Sequence, residues 1–250
     1  MDYVEISDAR KMPGLKLVLS AGVPGPWGEA AKAIFHVKGI PYIPVRQRVG
    51  EENPDLVAWT GLRNAPVVVN DDDRPLDRWL DIALFAERLQ PTPSLFPKSA
   101  ADRAVMVGLS NEICGERGLA WSLRALLFSA NKDKFQPGPM TRAYTAAPQE
   151  LDSATERVVD ILRALSNQMN AQSRAGSRYM AGDGLSILDL YLACFLSMVE
   201  PMSQEDCPLP DWLKGAYGTK SPEIKAACDP ALIRHRAFVF EKHLKLPMDF

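Results

Sequence analysis

The chain has little of what metal and redox chemistry need. Its 250 residues hold four cysteines and three histidines. Cys114, Cys194, Cys207 and Cys228 form no C-x-x-C pair, so they read as buried structural thiols. His36, His235 and His243 form no H-E-x-x-H pattern, and no metal site is expected. A G-x-S-x-G elbow, a P-loop and a G-x-G-x-x-G turn are all missing, which leaves hydrolase, NTPase and dinucleotide readings without local support. Neither sign of charge dominates. Lys and Arg number 29 against 31 Asp and Glu, a net charge of −2, and the two signs are interspersed. The electrostatic footprint of a nucleic-acid binder is absent. No apolar run is long enough for a bilayer, so no membrane partner is expected. Met1-Asp2-Tyr3-Val4-Glu5 has no basic segment leading into an apolar core. The expectation is a cytoplasmic chain.

What is present is an ordinary core-forming composition, 46% apolar and 24% charged, enough for one large or two modest units. Two loops stand out. Gly22-Val23-Pro24-Gly25-Pro26-Trp27-Gly28 is a glycine- and proline-rich turn. Asn64-Ala65-Pro66-Val67-Val68-Val69 places a proline at the head of a β-branched run, a strand position proline tolerates. A cis bond before Pro66 would turn the chain sharply there.

Residues 1–14 read as a polar extension, with a short strand at 3–6. Leu15–Ser20 is a strand. Apolar positions from Trp27 to Val37 predict a helix over 27–38 closed by Gly39. A strand at 42–45 carries Pro44, which places it at a sheet edge. A short helix over 52–59, the strand at 65–69, a turn at 71–75 with a brief strand after it, and a helix over 76–89 complete the first unit. Asp71-Asp72-Asp73 reads as a solvated turn, because adjacent side chains at a tip do not converge on one ion.

Gln90-Pro91-Thr92-Pro93-Ser94 breaks the pattern. Helices are then predicted over 99–128, 148–173 and 185–199, with a proline-containing loop at 131–145. The expectation is α/β plus all-α: a β-α-β-α-β-β-α unit over 1–90, a linker over 91–98 and a helical unit over 99–250. In the helical unit Ser186-x-x-Asp189 is a capping box with Asp at N3, and Leu185 is placed to staple onto Leu190. The helix beyond it is apolar nearly all round and belongs at the centre of the unit.

Several motifs in order carry a resemblance to the glutathione transferases. They are Lys38-Gly39-Ile40-Pro41-Tyr42, Asn53-Pro54, Ala65-Pro66-Val67-Val68 and Gly182–Asp189, and together they span most of the chain from Leu15. The resemblance implies a thioredoxin-like N-terminal domain and a helical C-terminal domain, glutathione as co-substrate, no metal, and a homodimer. The implied reaction is attack of the glutathione thiolate on a small hydrophobic electrophile. A glutathione-binding protein that has lost turnover (a ligandin-like role) and a structural dimer partner are the alternatives.

The chain departs from that family at two places. Gly25-Pro26-Trp27-Gly28 stands where a catalytic Ser or a C-P-x-C would stand, which excludes cysteine chemistry at this turn. Ser20 is the nearest hydroxyl, either a donor to the thiolate or a cap of its own loop. Asp77-Arg78, followed by Trp79, replaces the Glu/Gln-Ser that holds the γ-glutamyl group. The resemblance places glutathione against Gly25, Trp27, Gly28, Asn64, Ala65, Pro66, Asp77, Arg78 and Trp79. It places Arg117, Trp121 and Arg124 at a second pocket. For Trp27 a core position is the competing reading. For Asp77 the competing reading is an N-terminal helix acid, for Arg78 a solvated side chain, and for the second-pocket residues a solvated or interdomain role.

Overall fold

A computed structural model describes residues 1–71, 73–131, 138, 141–142, 144, 146–214, 217–218 and 221–250. The loop expected at 131–145 lies largely outside these residues, as does Asp72 of the aspartate turn. The elements in chain order are α1 (Ile6–Ala9), β1 (Leu15–Ser20), α2 (Pro26–Lys38), β2 (Ile43–Gln47), α3 (Pro54–Thr60), β3 (Val67–Asn70) and α4 (Trp79–Leu89). Then come α5 (Ala100–Cys114), α6 (Leu119–Ala130), α7 (Pro148–Arg174), α8 (Ile187–Phe195), a 3-10 turn (Leu196–Met198), α9 (Asp211–Lys214), α10 (Pro222–Ala227) and α11 (Pro230–His243).

The sheet has the order β2-β1-β3, with β1 parallel to β2 and antiparallel to β3. Alternation along β1 sorts the two faces. Leu15, Leu17 and Leu19 face the core shared with α2, α4 and the helical unit, while Val18 joins Ile6, Ala9, Val45, Leu56, Val67 and Val69 on the side of α1 and α3. β2 lies at the edge of these three strands, as Pro44 implies. The N-terminal extension partly covers that edge. Val4 donates its N–H to Pro44 O (2.9 Å) and accepts from Arg46 N (3.0 Å). The expected strand at 3–6 is thus one bridge followed by α1.

Two of the differences from the sequence reading have a clear physical cause. The helix expected from residue 76 begins at Trp79, because Leu76 exchanges backbone hydrogen bonds with Val68 at 2.8 and 2.9 Å and so extends the sheet. The single helix expected over 99–128 is two. The break at 115–118 has Arg117 at φ 63°. A Cβ on Gly118 would lie 2.6 Å from Glu112 O, and one on Gly115 would lie 2.5 Å from Asn111 Oδ1. The chain reverses too tightly there for any side chain at either glycine.

All nine residues of α8 are buried. Its start is held by Asp189, whose carboxylate accepts from Ser186 N (2.8 Å), Ser186 Oγ (2.6 Å) and Met180 N (2.8 Å). His235 Nε2 of α11 stands 2.9 Å from Asp189 Oδ1, a close electrostatic contact rather than an aligned hydrogen bond. The chain that follows α4 is pinned from α2. The buried Lys38 ammonium donates to Gln90 O (2.8 Å) and Pro93 O (2.6 Å) and pairs with Glu87. No helix among the described residues is long and apolar enough to cross a membrane.

Candidate functional site

The start of α2, the head of β3 and the start of α4 meet α8 in one crevice. Trp27 and Ala31 sit one turn apart on the same face of α2. With Pro66, Asp77, Trp79, Ile82 and Tyr191 they line a space of about 10 Å³, room for about one water molecule. The Ala65–Pro66 bond is cis. Pro66 is buried, Ala65 half-buried and Asn64 exposed. Asp77 and Arg78 are both exposed, with Asp77 at the crevice and Arg78 at the uncapped start of α4.

Aromatic side chains fill most of this junction. Trp79 meets Tyr191 edge-on at 5.5 Å, and Tyr191 Oη donates to Trp79 O at 2.9 Å. Burial holds the Tyr191 phenol well above its ordinary pKa, so it stays protonated and donating. Trp27 meets Phe195 edge-on at 5.0 Å, and its indole N–H donates to Cys114 O at 2.9 Å. These geometries suit the ring quadrupole. Trp27 therefore ties α2 to both α5 and α8.

Ser20 ends β1, where the parallel register sets it opposite Gln47. Its Oγ donates to Gln47 Oε1 at 2.9 Å, and Gln47 Nε2 donates on to Arg48 O. The hydroxyl is engaged across the strand ends. Gly25 is the N-cap of α2, has no side-chain cap and is followed by Pro26 at N1. A Cβ on Gly25 would meet nothing nearer than Ser20, at 3.9 Å. Gly28 is tighter: a Cβ there would lie 3.2 Å from Leu19 Cδ2.

The three residues expected at a second pocket separate. Arg117 is exposed on the 115–118 break. Trp121 and Arg124, on α6, share an aromatic cluster with Trp27 and Tyr144. The Arg124 guanidinium lies over the Trp27 ring at 4.7 Å and over the Tyr144 ring at 4.8 Å, and Nη1 donates to Tyr144 Oη at 2.6 Å. Tyr144 packs against Trp121 (4.9 Å) and stacks on Phe128 (5.5 Å). Tyr217 Oη donates to Pro24 O just ahead of α2, and burial pushes its phenol up to about 12.

Tyr191, Gln47, Tyr144 and Tyr217 escaped the sequence reading. A lone phenol in a helix apolar nearly all round was the available sign for Tyr191. The other three carry no local signal. Among the described residues no group of three or more His, Cys, Asp or Glu is placed to hold a metal ion. Cys114 Sγ donates to Ser110 O, and burial raises its thiol pKa well above the ordinary value.

No family model matches the chain, and no curated protein matches it. Solved structures do. A glutathione S-transferase domain-containing protein from Marinobacter aquaeolei has a TM-score of 0.64 at 19% identity, covering 91% of this chain and 98% of that one. A glutathione S-transferase from Methylobacillus flagellatus with glutathione bound has a TM-score of 0.61 at 17% identity, over 91% and 95% of the two chains. Rice GST1 in complex with glutathione has a TM-score of 0.60 at 18% identity, over 94% and 93%. The fold is that of the glutathione transferases.

Proposed function

On this glutathione-transferase fold, we infer that the chain works as a small-ligand-binding protein in which thiol transfer is weak or lost. The observation that supports the loss of thiol transfer is the narrow space left at Pro66. A pocket for a drug-sized ligand occupies about 300 Å³ or more, whereas Trp27, Trp79 and Tyr191 leave about 10 Å³. Opening it would break the Trp27–Cys114 and Tyr191–Trp79 hydrogen bonds together with two edge-on ring contacts. The chemistry at sulfur also lacks a side chain. Ser20 donates to Gln47, and Gly25 offers no hydroxyl or thiol. The ligand in this reading is small and largely apolar, and it enters beside Trp121 and Arg124, on the side of the helical unit.

A second reading, glutathione transfer to an electrophile, draws support from the bare start of α2. Backbone N–H groups at a helix start favour an anion, so a thiolate beside Gly25 would be held without a side chain. Two of the similar structures contain glutathione. In that reading Ala65 pairs with the cysteinyl backbone like an added strand, and Asp77 holds the ammonium. The separating experiment is conjugation of glutathione to chlorodinitrobenzene. The first reading expects a rate close to the uncatalysed one, with a neutral fluorescent apolar probe still bound. Saturable turnover with a lowered glutathione thiol pKa would establish the second. Two units, 1–90 and 99–250 joined by 91–98, and a homodimer belong to the same proposal. Leu84, Leu89 and Val105, exposed on α4 and α5, are the apolar contacts such a dimer would cover, and light scattering tests it.

A further inference from the structure

One face of α11 carries positive charge that the chain itself leaves unmatched. Arg234, Phe238 and Lys242 follow one another at intervals of four residues, so they lie along one side of the helix. Two turns of helix set the two charges about 12 Å apart. Arg234 and Lys242 are exposed and Phe238 is half-buried. A third cation arrives from the loop after α7. The exposed Arg178 guanidinium lies over the Phe238 ring at 4.1 Å, and Lys242 Nζ stands 5.8 Å from the same ring. Stacking on the ring restrains a side chain that would otherwise sample many rotamers. The backbone around Arg178 is fixed as well: Ser177 Oγ donates to Gly182 O at 2.7 Å and accepts from Tyr179 N at 3.1 Å. Tyr179 and His243 complete the surround, with rings 5.7 and 5.8 Å from Phe238. Burial and the neighbouring Lys242 hold the His243 imidazole below its ordinary pKa, so it adds little charge near neutral pH. Arg178, Arg234 and Lys242 pair with no Asp or Glu among the described residues, whereas Lys32, Lys38 and Arg46 do. Glu241 is the only acid within α11, so the face keeps a positive balance.

We propose that this face of α11, completed by Arg178, docks an extended acidic segment of a partner protein. The spacing sets the chemistry. An extended chain rises about 3.4 Å per residue, so carboxylates at i and i+4 stand about 13 Å apart, the reach from Arg234 to Lys242. A carboxylate at i+2 shares their side of the strand and falls over Phe238. There Arg178 keeps the in-plane edge of its guanidinium free to take the carboxylate through two parallel hydrogen bonds. The net charge of −2 opposes a polyanion as long as a nucleic acid, while a short acidic segment meets the positive face alone. None of these residues lines the crevice at Pro66, so the docking surface stands whatever that crevice binds.

The probe is a short fluorescein-labelled peptide of alternating Glu and Gly, titrated with the full chain at low salt and read by fluorescence anisotropy. The wild type is expected to bind it about 10-fold or more tightly than the Gln-Gly counterpart, and to lose most of that advantage at about 0.5 M salt, where exposed charges are screened. Arg178→Gln and Lys242→Gln should each weaken binding about threefold to fivefold, the scale of one exposed ion pair, and the double variant by about 10-fold or more. Arg178→Lys keeps the charge and loses the planar fork, so it should fall between the wild type and Arg178→Gln. Arg88→Gln, exposed on α4, removes the same charge elsewhere and should leave binding unchanged. Melting temperatures report that each variant is folded. Equal binding of the Glu and Gln peptides, or an equal loss in Arg88→Gln and Arg178→Gln, would overturn the proposal. Tighter binding of a single-stranded oligonucleotide, or of vesicles rich in anionic lipid, through the same residues would overturn it too.

Discussion

Replacing Trp27 with alanine tests whether the indole is a tie between the two units or a free wall of an open cleft. The side chain contributes one hydrogen bond to Cys114 O, one edge-on contact to Phe195 and one guanidinium stack from Arg124. Each of these is worth about 1 kcal/mol. Loss of apolar burial adds to them, and Trp→Ala changes in cores cost about 3–5 kcal/mol. Trp27 is only half-buried, so the lower end applies, about 3 kcal/mol. For a chain of this length that is a fall in Tm of about 6–12 °C. Urea unfolding with an unchanged slope gives the free energy directly. Trp27→Phe keeps a ring against Phe195 and loses the N–H, so it should recover about half of the loss. A Trp27→Ala cost below about 1 kcal/mol would refute the tie. Loss of a glutathione affinity that the wild type possesses would show the indole to be a cleft wall instead.

Three further outcomes follow from the same contacts. Asp189→Ala leaves the buried Met180 and Ser186 N–H groups without acceptors and should cost about 3–5 kcal/mol, whereas Ser186→Ala should cost about 0.5–2 kcal/mol; equal losses in urea unfolding would deny the carboxylate its central place. Gly118→Ala drives a Cβ to 2.6 Å from Glu112 O and should destabilise by about 2 kcal/mol or more, while Gly108→Ala, in α5 with nothing near its Cβ, should be neutral or stabilising by up to about 1 kcal/mol. Cys114, Cys194 and Cys207 are buried and Cys228 is half-exposed, and burial pushes the Cys228 thiol up to about 11. A disulfide reagent at pH 7.5 should therefore label the native chain slowly, at Cys228 alone, and all four thiols after unfolding; fast native labelling would contradict the burial.

What could be read from the sequence was what is decided locally. The Ser186-x-x-Asp189 start, the Gly39 end of α2 (φ 65°) and the β1 strand each depend on a few adjacent residues, and each stands where the residues placed it. The 115–118 break was hidden because a non-glycine residue, Arg117, takes the left-handed conformation while both flanking glycines serve close approach instead. The late start of α4 was hidden because Leu76 satisfies its backbone on Val68, a partner set by the sheet. The candidate site was less legible for the same reason. The partner of Ser20 becomes evident only once the β1–β2 register sets Gln47 opposite it. Trp27 and Arg124 are 97 positions apart, and no spacing rule links an indole on α2 to a guanidinium on α6.

The most direct measurement is calorimetric titration of reduced glutathione into the wild-type chain. A junction closed by Trp27, Trp79 and Tyr191 predicts a Kd weaker than about 1 mM, a binding free energy smaller than about 4 kcal/mol. A Kd in the tens of micromolar, accompanied by quenching of Trp27 fluorescence, would mean that the groove beside Pro66 opens for the tripeptide and would contradict the account.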